Sequence, residues 1–290
     1  WSGLPPARSV VHRRRFDPPG TSGIVLIVNA RLDDDALVAQ LRGAGCVFAE
    51  DEARLLRAEF SGSELRARVA RRVAGEPLEL VLGWAEFAGQ RVQVAAGVFV
   101  PRRRTELLLT IALESVATCP KTRPVVVELC CGAAAIAMIA AAQGLTPELY
   151  ASDLDARAVA CARGNLGSSA TVLQGDLFDG LPNSLRGSID VLIANAPYVP
   201  SAEVANLPRE ARLFEPHLTL DGGPDGTDVQ RRIIAAAPEW LAPGGWLHIE
   251  TSREQLAAGL AALTATGLEA RSQSDEDLSA TVLTGRRARA

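Results

Sequence analysis

The chain has 290 residues, 48% of them hydrophobic and 22% charged, with a formal net charge of −4; this length suits one large domain or two modest ones, with a sizeable core. No apolar run approaches the ~18 residues of a membrane-spanning helix, the five cysteines (46, 119, 130, 131 and 161) form no paired-ligand spacing, and His12, His217 and His248 form no HxxxH arrangement. Membrane proteins, disulfide scaffolds and zinc or di-iron enzymes are thereby disfavoured, and the expectation is a cytoplasmic protein with reduced thiols and no metal.

Residues 1–22, with four prolines and the run Arg13-Arg14-Arg15, read as a disordered tail. They carry +3, which leaves −7 on the other 268 residues. Helical periodicity runs from Asp33 to about Ala74: Leu37 and Leu41, then Ala53 and Leu56, then Leu65 and Val69 recur at three- and four-residue steps. Three short amphipathic helices cannot each bury a face alone, so a small helical domain is expected. Residues 78–100 alternate apolar and polar positions around Gly83 and Gly89 and predict a β-hairpin linking two domains.

Beyond residue 100, strand-like runs at 124–129, 149–153, 171–176, 189–195 and 246–251 alternate with helical stretches at 133–143, 155–165, 228–241 and 253–265. Such alternation predicts an α/β fold, a mostly parallel sheet with helices on both faces. Two final strands, in LEARSQSD and SATVLTGRR, predict an antiparallel hairpin at the sheet edge. The expected division is a tail over 1–22, a helical domain over 23–77, a hairpin linker over 78–100 and a catalytic domain over 101–290.

Four segments carry chemistry. Glu128-Leu129-Cys130-Cys131-Gly132-Ala133-Ala134 leads from a strand through small residues into a helix, where backbone can approach a ligand and free N–H groups face it; alone, it is equally a tight turn. Asp153 ends the next strand, where an acid faces the crevice and can accept both hydroxyls of a ribose, leaving Asp155 as helix cap. Asp176-Leu177 ends the third strand, where a carboxylate and an apolar side chain can border an adenine, or form an ordinary turn. Asn195-Ala196-Pro197-Tyr198 follows the apolar strand DVLIA. Its Asn195 oxygen and a backbone carbonyl can accept both hydrogens of a planar N–H2 group, which fixes a poor nitrogen nucleophile and favours positive charge developing on it.

In order, these segments resemble the HemK/PrmC family of protein-(glutamine-N5) methyltransferases, from about residue 33 to 285. GEPLELVLGWAEFAGQRVQV, VFVPRRRTELL, FEPHLTLDGGPDG and LAPGGWLHIETSREQ match further family blocks. The resemblance implies a Rossmann-like class I S-adenosylmethionine-dependent methyltransferase, with a seven-stranded, mostly parallel sheet ending in an antiparallel hairpin. It implies a peptide-chain release factor as protein partner, its Gly-Gly-Gln glutamine as acceptor, the helical domain as acceptor-binding unit, and a monomer. Glu128, Cys130, Cys131, Gly132, Ala133, Ala134, Asp153, Asp176, Leu177 and Asn195 would bind the cofactor. Asn195, Pro197 and Tyr198 would be catalytic, and Arg102 with residues 195–198 would hold the substrate.

The family pattern Asp-Leu-Gly-x-Gly-x-Gly is altered at Glu128, Cys130 and Ala134, and its Asn-Pro-Pro-Tyr at Ala196; Leu177 stands where some members carry an aromatic. If Ala134 must adopt φ > 0, the cost is about 1 kcal/mol. Arg103 and Arg104, replacing the pattern's Pro-x, suit an acidic or phosphate-bearing partner or a solvated turn. Two other functions fit less well: a nucleic-acid adenine or cytosine amino-methyltransferase, disfavoured by the acidic charge, and a cofactor-binding protein that has lost activity.

Overall fold

The computed structural model describes residues 34–143 and 147–289. The expected tail over 1–22 and the helix start at Asp33 lie outside the described residues.

Helices α1 (Asp34–Gly43), α2 (Ala49–Glu59) and α3 (Gly62–Val73) bury Leu37, Leu41, Leu56, Leu65 and Val69 in one cluster. The short helix α4 (Leu78–Leu82) closes that cluster with Val81 and Leu82 and stops at Gly83, whose φ of +86° only glycine adopts without strain. The expected hairpin over 78–100 is therefore corrected: its first arm is a helical turn. Three consecutive buried residues, Leu80 to Leu82, suit one turn packed on two sides rather than a strand with a solvent face. The hairpin itself is β1 (Trp84–Phe87) and β2 (Gln90–Gln93), joined at Ala88 and Gly89 with φ of 48° and 73°, the left-handed pair a two-residue turn requires.

Helix α5 (Glu106–Ala117) leads into β3 (Val125–Leu129), α6 (Ala135–Ala142), β4 (Glu148–Asp153), α7 (Ala156–Leu166), β5 (Thr171–Gln174) and β6 (Ile189–Ala194). Then come α8 (Arg209–Phe214), α9 (Asp228–Trp240), β7 (Leu241–Thr251), α10 (Leu256–Ala265), β8 (Glu269–Asp275) and β9 (Ala280–Arg286). The sheet order is β5-β4-β3-β6-β7-β9-β8, parallel from β5 to β7 and antiparallel at β9 and β8. This is the class I methyltransferase fold, and β8, not β9, forms the sheet edge. Strand β6 is buried along its whole length, as a central parallel strand covered on both faces must be.

The chain runs outward from β3 to β4 and β5, then returns to place β6 on the other side of β3. Adjacent strands whose connections leave in opposite directions open a crevice at their carboxyl ends. Leu129 and Ala194, neighbours in register, deliver Cys130 and Asn195 to that crevice together. No helix among the described residues is long and apolar enough to cross a membrane.

Candidate active site

A cavity of about 530 Å3 opens over the crevice, with Gly132, Asp153, Asp176, Asn195 and Tyr198 in its wall. The loop from β3 to α6 takes left-handed backbone at Cys130 (φ 52°), Gly132 (φ 54°) and Ala134 (φ 55°), the three positions where the resembled pattern has glycine. A Cβ placed on Gly132 would meet nothing closer than 3.9 Å, so the space above the loop is open. Burial, with the charges of Asp153 and Asp176, pushes the Cys130 thiol up to about 12, which keeps it a thiol and removes it as a nucleophile.

Glu128 also lies in the cavity wall, and its carboxylate accepts the backbone N–H of Ala137 at 2.8 Å. It thereby caps α6 from the neighbouring strand, since Ala134 at the helix start has no side chain to do so. Burial, reinforced by the charge of Asp153, pushes Glu128 up to about 8 despite the helix N–H groups. Asp153 accepts from Gly132 N and Asp155 N, each at 2.9 Å. Asp155 is the N-cap of α7, accepting from Arg157 N at 2.8 Å. Burial raises the Asp153 pKa, opposed by its backbone N–H donors. A carboxylate has about four lone-pair directions, so two remain beside the cavity. Asp176 pairs with Arg232 of α9 at 2.8 Å, and Leu177 is buried with φ of 52°.

Asn195 donates its Nδ2 to Thr105 Oγ1 at 3.2 Å. Among the described residues no hydrogen bond is made to the Ala196 carbonyl, and the Ala196 methyl is buried. Tyr198 donates its hydroxyl to Glu250 at 3.2 Å and accepts from Arg104 at 3.3 Å. Burial and the Glu250 charge raise the Tyr198 pKa, so it stays a neutral phenol. Arg102 is neutralised by Glu215, a buried carboxylate whose pKa burial raises and Arg102 lowers. Of the arginine run, Arg102 and Arg104 thus face partners of this chain.

Four supporting residues carry no signal in the strand and helix pattern. Thr105 and Glu250 meet the acceptor loop as described. Gln255 donates to the carbonyls of Tyr198 at 2.8 Å and Asp225 at 3.0 Å. Asn165 exchanges hydrogen bonds with the Gln93 backbone and donates to the Ala133 carbonyl at 2.8 Å, tying β2, α7 and the β3 loop together. An amide inside a helix is unfavourable for the helix, which is the one local hint Asn165 offers.

Residues 91–212 match the Methyltransferase small domain family. The release factor glutamine methyltransferase of Geobacter sulfurreducens is 33% identical over 246 residues, 83% of this chain and 84% of that protein. The chain belongs to the release factor glutamine methyltransferase family. A member from Bradyrhizobium diazoefficiens is 35% identical over 246 residues, covering 82% of this chain and 81% of its own. A 4-amino-L-phenylalanine/4-methylamino-L-phenylalanine methyltransferase of Streptomyces pristinaespiralis is 36% identical over 203 residues, 69% of each chain. A methyltransferase from Pyrococcus furiosus shares the fold with a TM-score of 0.51 at 16% identity, covering 78% of this chain and 99% of that one. The hMettl16 catalytic domain does so at 0.54 and 13%, covering 77% and 81%. Within the release factor glutamine methyltransferase family, this chain is therefore a methyltransferase whose altered loop keeps left-handed backbone at all three pattern-glycine positions.

Proposed function

We propose that this methyltransferase uses S-adenosylmethionine to methylate the side-chain amide nitrogen of a glutamine, the one in the Gly-Gly-Gln motif of a peptide-chain release factor. The observation that carries the reading is the orientation of Asn195: with Nδ2 held by Thr105, Oδ1 is the atom left to accept from an acceptor N–H2. The Ala196 carbonyl supplies the second acceptor, and Pro197 and Tyr198 shape the slot. An amide nitrogen is a poor nucleophile because its lone pair is delocalised; two acceptors on its hydrogens fix its direction and stabilise the positive charge that grows on it. When bound, S-adenosylmethionine supplies an electrophilic methyl group on a sulfonium leaving group. Asp153 fits the ribose hydroxyls, the 130–134 loop the amino-acid portion, and Asp176 with Leu177 the adenine. The nitrogen sheds its proton after attack, when it is acidic, so no strong base is required beside it.

A second acceptor class is favoured by the Streptomyces pristinaespiralis relative, whose name specifies an aromatic amine. An aryl N–H2 is also planar and would meet the same two acceptors. Incubation with methyl-labelled cofactor and either a Gly-Gly-Gln release factor or 4-aminophenylalanine, read by mass spectrometry, separates the two. A methyl group on the glutamine side chain is expected; label confined to the small amine, or to added nucleic acid, overturns the proposal. Asn195→Ala should lower turnover by about 100-fold or more with cofactor affinity by calorimetry nearly unchanged, whereas Asp153→Ala should abolish cofactor binding.

A further inference from the structure

The loop from β3 to α6 keeps a shape that its own residues disfavour. Cys130 and Ala134 stand where the family pattern has glycine, yet both hold left-handed backbone, at φ of 52° and 55°. For an L residue that conformation is disfavoured by roughly 5- to 30-fold in an equilibrium constant, so bonds from other elements must help to hold it. Asn165, in the last turn of α7, supplies one at Ala134. Its Nδ2 donates to the Ala133 carbonyl at 2.8 Å, and the N–H of the same peptide, that of Ala134, donates to the Cys131 carbonyl at 2.6 Å. On the other side, the Ala134 carbonyl accepts from Met138 N of α6 at 2.9 Å. With the planar peptides before and after Ala134 both fixed, so are its φ and ψ. Asn165 is itself anchored on β2: Oδ1 accepts from Gln93 N and Nδ2 donates to Gln93 O, each at 2.9 Å. A side-chain amide has two N–H hydrogens and one oxygen, and all are used here. The reverse orientation would set its oxygen against two carbonyls.

We propose that Asn165 is a positioning residue for the cofactor: from outside the loop, it holds Ala134 in the left-handed conformation that the family pattern secures with glycine. This rests on the reading that the 130–134 loop receives S-adenosylmethionine. Without Asn165, Ala134 relaxes to φ < 0 in the unliganded protein, and binding must drive it back, so the cost falls on affinity. The acceptor loop at 195–198 is untouched, so turnover at saturating cofactor is preserved. A glycine at 134 takes left-handed backbone at no steric cost and should make Asn165 dispensable.

Two variants remove the bond. Asn165→Ala deletes the amide, and Asn165→Asp keeps an acceptor for Gln93 N but has no N–H for either carbonyl. Each should raise the Kd for S-adenosylmethionine, measured by calorimetry, by at least ~10-fold, while kcat at saturating cofactor stays within ~3-fold of wild type. In an Ala134→Gly background, Asn165→Ala should move the Kd by less than ~3-fold. Cys161→Ala separates the loop from the hairpin, because the Cys161 thiol donates to the same Gln93 carbonyl at 3.3 Å; its Kd should match wild type. A readout without cofactor is hydrogen exchange in the unliganded protein. The segment 130–137 should exchange at least ~10-fold faster in Asn165→Ala, and at the wild-type rate in Cys161→Ala. An unchanged Kd in both Asn165 variants, a rise that Ala134→Gly does not relieve, or an equal rise in Cys161→Ala overturns the proposal. If the wild-type protein binds no S-adenosylmethionine, the cofactor reading fails, and hydrogen exchange still decides whether Asn165 holds the loop.

Discussion

At Ala134 two costs oppose one another. A left-handed conformation costs an alanine about 1 kcal/mol or more, yet its methyl is fully buried, worth about 0.8 kcal/mol. A glycine there would also bring about 0.5 kcal/mol of extra chain entropy to lose on folding. Ala134→Gly should therefore change the unfolding free energy by less than about 1 kcal/mol, whereas Ala134→Val, β-branched at φ > 0 in a filled site, should lose about 3 kcal/mol or more; urea denaturation compares them. Glu128 gives a pH signature. Its folded pKa, about 8, lies above the ordinary 4.5. The folded state therefore binds the proton more tightly, and the stability this contributes is complete below about 4.5 and lost as pH rises through about 8. Glu128→Gln keeps an acceptor for the Ala137 N–H and removes the titration. Melting temperatures of the two proteins should diverge in favour of the variant as pH rises from about 4.5 to about 8, and run parallel above that.

Among elements, the 195–199 loop shows why Ala196 can stand where the family pattern has proline. Its stiffness comes from tertiary bonds: Val199 N donates to Leu220 O at 3.0 Å, Gly222 N to Val199 O at 2.8 Å, and Gln255 holds the Tyr198 carbonyl. A side chain at Gly226, φ 76°, would collide with that same carbonyl and with Gln255. Gly226→Ala should thus displace Tyr198, lowering turnover by about 10-fold or more and stability by about 2 kcal/mol; intact stability with full turnover would contradict this account. The loop also marks where sequence legibility stops. Strands β3 and β6 are readable because they are mostly apolar runs, β4 and β5 because they alternate with helical stretches, and Asn195 and Asp153 because they stand at strand ends. Helix α5 is not, because ELLLTIALESVA is apolar on nearly every side and gives neither period. Thr105 reaches the site from one segment and Glu250 and Gln255 from another, and only the folded chain shows that their hydrogen bonds converge. The capping of α6 by Glu128 is illegible for the same reason, since its partner lies nine residues on.

Over the whole molecule, the helical cluster is joined to the rest partly through Arg72 of α3. Its guanidinium pairs with Glu52 of α2 at 2.7 Å and with Glu210 of α8, in the cavity wall, at 2.9 Å. The two bonds differ in weight. The Arg72 and Glu52 side chains are 11% and 9% exposed, whereas that of Glu210 is 51% exposed, so solvent screens the second pair and Glu210→Gln should cost less than about 1 kcal/mol. Arg72→Met leaves the Glu52 charge buried without a partner and should cost about 3 kcal/mol or more. Adding Glu52→Leu removes that stranded charge, so the double variant should recover to within about 1 kcal/mol of wild type. Urea midpoints of the three proteins test this, and a double variant as unstable as Arg72→Met would mean that the pair acts through packing of its stems. If stability recovers while the acceptor KM stays raised, as expected with the Glu210 contact gone, the same arginine has two separable duties: compensating a buried charge within the helical cluster, and holding that cluster against the wall of the active site.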